Sequence, residues 1–190
     1  MIKSSLDELA QTEDIEVNWK SFELRPKDAP PLPPKQEQAY QERIAAGWPR
    51  VQQIARERFG LELKFHRWGV NSRLALEGAK YAEVQGQGEP FHEAMFKAHF
   101  VEDRDFGDLE TLADLAEEVG LDRAKFKEAI ETHAYAAPVD ADVAQARVYG
   151  LNGVPAAIIE SKYLLSGAQP LQTLRQVVQQ IKENKLTGDG

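Results

Sequence analysis

Apolar residues recur along this chain with two periods, and the changeover marks its organisation. In SSLDELAQ, Leu6 and Leu9 share a helical face, with Ser4 or Ser5 as the cap. Ile15, Val17, Trp19 and Phe22 in IEVNWKSFEL then predict a strand whose alternation breaks late. The prolines of RPKDAPPLPPKQ end regular structure, because proline removes a donor and favours extended backbone. From about Gln36 to Pro138 the helical period takes over. The first helix of this block is predicted to break at Gly47-Trp48-Pro49 and to end at Gly60. The next opens on an Asn/Ser cap at Asn71-Ser72 and stops near Gly86. Phe91, Met95 and Phe96 line one side of a third. Two more start at Asp108 and Asp122, the former carrying Leu109, Leu112, Leu115 and Val119 and stopping at Gly120.

After Pro138 a helix with Val143 and Ala146 runs to Gly150. The short apolar runs VPAAIIE and YLLS, split by Ser161-Lys162, then predict an antiparallel hairpin. Pro170 opens a closing helix whose buried stripe is Leu171, Leu174, Val178 and Ile181. Strands at both sequence ends must meet in one sheet, since neither is stable alone. The expected organisation is a discontinuous α/β domain, residues 1–34 with 139–190, interrupted by an all-helical insertion over 35–138.

Composition narrows the chemistry. With 42% hydrophobic residues the 190-residue chain buries a proper core without disulfide staples. Its formal charge of -8 argues against nucleic acid or an anionic membrane as partner. No apolar run approaches a bilayer span, and MIKSSLDELAQTED has no signal-peptide core, so the chain reads as cytoplasmic. There is no cysteine, which removes every thiolate nucleophile and thiolate metal site. His92 and His99 lie seven apart, wider than the spacing zinc pairs prefer, and read as ordinary histidines. No residue is assigned a catalytic or metal-binding role, and no cofactor is expected.

Six stretches in order, IEVNWKSFELRP, NSRLALEGAKYA, FHEAMFKAHFVEDRDFGD, LADLAEEVGLD, GLNGVPAAII and LSGAQP, resemble the DsbA-like proteins. The resemblance is to the branch containing FrnE-type oxidoreductases and 2-hydroxychromene-2-carboxylate isomerases. It implies a thioredoxin-like fold with a large helical insertion and a cis bond at Val154-Pro155. Gly153, Val154 and Pro155 would form the loop that holds substrate, with Asn71, Arg73 and Gln169 as contacts in the cleft. Trp48, Phe65 and Trp68 are further aromatic candidates there, set against an ordinary core role.

Family members carry a first strand leading into Cys-Pro-x-Cys, or a serine variant, at the first helix. Here IKSSLDELA corresponds to the body of that helix, so the strand and dithiol are expected to be missing from this chain. Either the natural product has an upstream Cys-x-x-Cys, or the chain is redox-dead and another segment or subunit fills the sheet. The exposure of two unpaired strand edges favours the former. The resemblance implies a thiol–disulfide oxidoreductase family protein that is inactive as given, with a peptide or small thiol as substrate. The alternatives are a glutathione-dependent isomerase-like protein and a non-catalytic peptide-binding or dimerisation module; glutathione and a second copy of the chain are the further partners considered.

Overall fold

The computed structural model describes residues 2–24, 26, 30–65 and 70–187, and side chains outside 2, 58–59 and 184–187 of these. In chain order the elements are α1 (Ile2–Thr12), α2 (Pro34–Phe59), α3 (Arg73–Val84), α4 (Gly88–Lys97), a π-helical turn (Ala98–Glu102) and α5 (Leu109–Glu118). There follow α6 (Arg123–Glu131), α7 (Ala136–Val148), β1 (Ala156–Ile159), β2 (Tyr163–Ser166) and α8 (Leu171–Thr187). They gather into two compact units, Met1–Lys20 with Tyr149–Gly190, and Ser21–Val148. The helical unit is thus wider at both ends than residues 35–138, starting at Ser21 and running through α7 to Val148.

In the discontinuous unit, α1 packs on α8. Leu9, Leu174 and Val178 are buried between them, with Leu6, Ile15, Leu165 and Leu171 packed around. Each such side chain withdrawn from water contributes about 1.5–3 kcal/mol. Lys182 donates to Glu13 (2.9 Å) and Arg175 to Glu8 (3.3 Å) across the same pair of helices. The helix starts at Ile2, so Ser4 and Ser5 lie inside α1 and cap nothing. The hairpin pairs Ala156 with Ser166 through to Ile159 with Tyr163, antiparallel. Ala157 and Ile159 therefore share the helix-facing side with Leu165, and Ala156 and Ile158 share the other with Leu164.

The strand expected over 15–22 does not form a ladder among the described residues. Its pattern is still two-residue: Ile15, Val17 and Trp19 are half-buried while Glu16, Asn18 and Lys20 are exposed. Alternation reports which side faces a core, but a strand also requires a hydrogen-bonded neighbour.

The hairpin turn also differs from expectation. Its central residues are Glu160 and Ser161, at φ 54° and 56°, and Lys162 N–H donates to the Ile159 carbonyl (3.1 Å). Two successive left-handed residues make this a type I′ turn, where Asn-Gly or Asp-Gly is preferred and each L-side chain is strained. Replacing Glu160→Asp together with Ser161→Gly should stabilise the protein by about 1 kcal/mol, read as a raised Tm.

In the helical unit, α2 runs unbroken through Gly47-Trp48-Pro49, against the predicted break. A proline inside a helix costs on the order of 3 kcal/mol, but tertiary burial on one face overrides it. Tyr40, Ile44, Trp48 and Val51 are half-buried along one stripe that ends in the fully buried Ala55. Gly60 closes the helix in the left-handed region at φ 63°. The chain then folds back: Gln52 Nε2 donates to the Leu63 carbonyl (2.6 Å) and Trp48 meets Phe65 edge-on at 5.5 Å.

The central helix of this unit is α3, which packs on α4, α5, α6 and α7. Its inner row is small, Ala75, Gly78, Ala79 and Ala82, and this lets Phe91 and Phe126 approach its backbone. Leu112, Leu115 and Ile130 complete the core, all at most 1% exposed. Asp108 and Asp122 cap α5 and α6 as expected, accepting from Thr111 N–H and Lys125 N–H at 2.9 Å each.

Candidate functional site

Gly150, at φ 67°, ends α7 and turns the chain into the loop that precedes β1. The loop is Leu151–Pro155, with Asn152 exposed and Val154 53% exposed despite its apolar side chain. The Val154–Pro155 peptide bond is cis. Among the described residues, nothing hydrogen-bonds the Val154 amide or carbonyl. The loop is fixed at its far end instead. Gly167 N–H donates to the Pro155 carbonyl at 2.8 Å, and Gly167 takes the left-handed backbone (φ 80°) this closure needs.

Gln169 stands at the same end of the hairpin. Its Nε2 donates to the Ser166 carbonyl at 2.6 Å, stiffening the Gly167–Pro170 turn. The Pro170 carbonyl then accepts from Thr173 and Leu174 to start α8. Gly153, Val154, Pro155 and Gln169 therefore lie within one unit, joined by two hydrogen bonds.

Asn71 and Arg73 belong to the other unit, and both are occupied there. Asn71 Oδ1 accepts from Arg73 N–H (2.8 Å), the capping role of its residue type. Arg73 is held on several sides: Nε donates to Glu77 (2.8 Å), Nη1 to Asp140 (2.7 Å) and Nη2 to the Ala136 carbonyl (3.1 Å). Glu23 lies 3.6 Å from Nη1. Burial works against the guanidinium charge, but the bonds to Asp140 and Glu77 outweigh it and hold its pKa above the usual value. Of the aromatic candidates, Trp48 and Phe65 contact each other in the helical unit, and Trp68 lies outside the described residues.

The group that sequence reasoning missed is Glu77, a carboxylate with no exposed surface. Besides Arg73 it meets His133, whose Nδ1 lies 3.2 and 3.1 Å from its two oxygens. His133 sits in the left-handed region (φ 52°) just past α6, where glycine is the usual residue. The adjoining Lys80 bonds Asp142 (2.9 Å) and Glu83 (3.0 Å). Burial opposes its charge too, yet those partners keep its pKa above the ordinary lysine range. Asp142 also accepts from Ser21 N–H (2.9 Å), which ties the start of the unit to α7. One signal pointed here: Arg73 opens α3, where a cation opposes the helix dipole and needs partners from elsewhere.

The remaining histidines do packing work. His92 is buried, with Nε2 3.8 Å from Glu83, and His99 meets Phe100 and Phe106 edge-on at 4.6 and 4.3 Å. His66 lies outside the described residues. Among the described residues no three His, Cys, Asp or Glu side chains converge as a metal site, and no helix is long and apolar enough to cross a membrane.

The sequence pattern of the DSBA-like thioredoxin domain matches residues 1–179. This chain belongs to that family. Its fold is thioredoxin-like, with one small two-stranded sheet among the described residues and a large helical insertion. The DsbA-like chain is 37% identical over 135 residues to the uncharacterized protein YwbO of Bacillus subtilis (strain 168), spanning 70% of this chain and 66% of that protein. It also resembles the crystal structure of a probable DsbA oxidoreductase from Streptomyces coelicolor. That likeness has TM-score 0.77 and 29% identity, over 94% of this chain and 80% of the other. A 2-hydroxychromene-2-carboxylate isomerase shares the fold at TM-score 0.74 and 20% identity, over 98% and 91% of the two chains.

Proposed function

We propose that this chain supplies the substrate-holding part of a DsbA-like thiol–disulfide oxidoreductase and performs no dithiol exchange by itself. The observation that carries this reading is the absence of cysteine from a member of that family. Disulfide exchange proceeds by attack of a thiolate on a disulfide sulfur, and the only sulfur here is in two methionines. What remains is the holding surface: the Val154 amide and carbonyl, open beside Gly153 and backed by Pro155, Gly167 and Gln169. An extended peptide pairs with such a backbone as an added strand, and the exposed Val154 side chain supplies apolar contact. The expected partner is a peptide or small thiol.

Insulin reduction tests the first half. With dithiothreitol present, adding the chain should leave the rate of insulin precipitation unchanged, and catalysed turnover would overturn the reading. Binding of a fluorescently labelled, unfolded insulin B-chain peptide tests the second. Val154→Pro, which removes the amide donor, should weaken it about fivefold or more; equal binding by the variant removes the loop from the site.

A further inference from the structure

We propose that Asn152 is a self-modifying position, at which the loop's own backbone converts the asparagine into aspartate or isoaspartate. The chain holds four asparagines, Asn18, Asn71, Asn152 and Asn184, and only Asn152 is followed by glycine. The reaction needs the next residue's amide nitrogen to reach the asparagine side-chain carbon, a five-membered ring closure that a Cβ on that residue obstructs. Gly153 has none, and nothing lies within 4 Å of where one would stand, so the backbone has room to turn. Asn152 is exposed to water. Among the described residues no hydrogen bond holds either the Asn152 side chain or the Gly153 amide. The loop lies outside every helix and strand.

The other three asparagines lack this combination. Asn18 is followed by the bulky Trp19. Asn71 precedes Ser72, and its oxygen is held by Arg73 N–H at 2.8 Å. Asn184 precedes Lys185 within α8, where the helical backbone fixes the geometry.

The chemistry needs only water. The Gly153 amide nitrogen, deprotonated by hydroxide, attacks Cγ of Asn152; the new C–N bond forms as the bond to the side-chain nitrogen breaks, and that nitrogen leaves as ammonia. Water then adds at either carbonyl of the resulting succinimide and opens it, giving aspartate or isoaspartate. One water is consumed, one ammonia is released, and nothing is oxidised or reduced. The formal charge moves from -8 to -9, since one carboxylate is gained. That carboxylate stands two residues from Val154, and the isoaspartate form also lengthens the backbone there by one methylene. If the loop holds substrate as proposed above, modification weakens its grip on acidic ligands.

Incubating the folded chain in mildly alkaline buffer at body temperature, with peptide mass spectrometry over days, tests the site directly. The peptide containing residue 152 should become one mass unit heavier before those containing Asn18, Asn71 or Asn184. Gly153→Ala, with folding checked by circular dichroism, should slow the change about tenfold or more. An unmodified Asn152, or conversion no faster than at Asn18, would overturn the proposal. Asn152→Asp then reads the consequence separately, by binding of a glutamate-rich peptide. Weaker binding supports the link to the loop. Unchanged binding after a confirmed mass gain retains the modification site and removes that link.

Discussion

Replacing Arg73 by methionine should destabilise the protein by roughly 3–5 kcal/mol, the range for breaking a buried ion pair from one side. Methionine keeps most of the aliphatic stem, so the loss isolates the guanidinium fork. What it leaves behind sets the size: Glu77 has no exposed surface, and its remaining side-chain partner would be the imidazole of His133. A buried carboxylate left with that single side-chain partner costs more than the lost attraction itself. The pair is also oriented against helix preference, with the cation four residues before the anion, so local i,i+4 pairing contributes little. Its value is tertiary, since the same guanidinium reaches Asp140 and the Ala136 carbonyl at the start of α7. Arg73→Met combined with Glu77→Met should recover much of the loss, because the fully buried carboxylate goes with its cation, while Asp140, itself well exposed, and Glu23 still lose the guanidinium. Urea unfolding of the two variants measures both. A double variant no more stable than Arg73→Met would show that packing, not the buried carboxylate, sets the cost.

That cluster also shows where the sequence stops being legible. The helices α5, α6 and α8 were readable because their signals are local: Asp108 and Asp122 cap within three residues, and Leu171, Leu174 and Val178 repeat on one face. The cis bond at Val154–Pro155 was legible through resemblance, carried by neighbours in the chain. Glu77 was not readable, because His133 and Ala136 reach it and Arg73 only in three dimensions, from elements far along the chain. The two corrected elements failed for related reasons. The break expected at Pro49 weighed a backbone rule against a burial to which the fold-back of Leu61–Phe65 contributes. The strand expected at Ile15 had the right alternation, but no pairing partner among the described residues.

Gly78→Ala should cost about 2 kcal/mol, although alanine is favoured over glycine in a helix interior by about 1 kcal/mol. A Cβ at this position would stand 2.8 Å from Phe126 Cζ, 3.2 Å from Phe126 Cε2 and 3.3 Å from Phe91 Cζ. Neither ring has space to retreat. Both are fully buried, they contact each other at 5.6 Å between centroids, and Phe126 is pinned edge-on by Tyr81 at 5.4 Å. The methyl must therefore push α3 away from α4 and α6, and overpacking in a dense core outweighs the gain in propensity. Phe126→Leu removes the atoms that collide, and it separates this account from a general intolerance of α3. Alone, it should destabilise by creating a cavity. Combined with Gly78→Ala it should cost less than the sum of the two, with a coupling of about 1–2 kcal/mol, because the new methyl fills part of the space the ring vacates. Strict additivity in denaturant titrations would mean that the glycine is required for some reason other than the approach of Phe126.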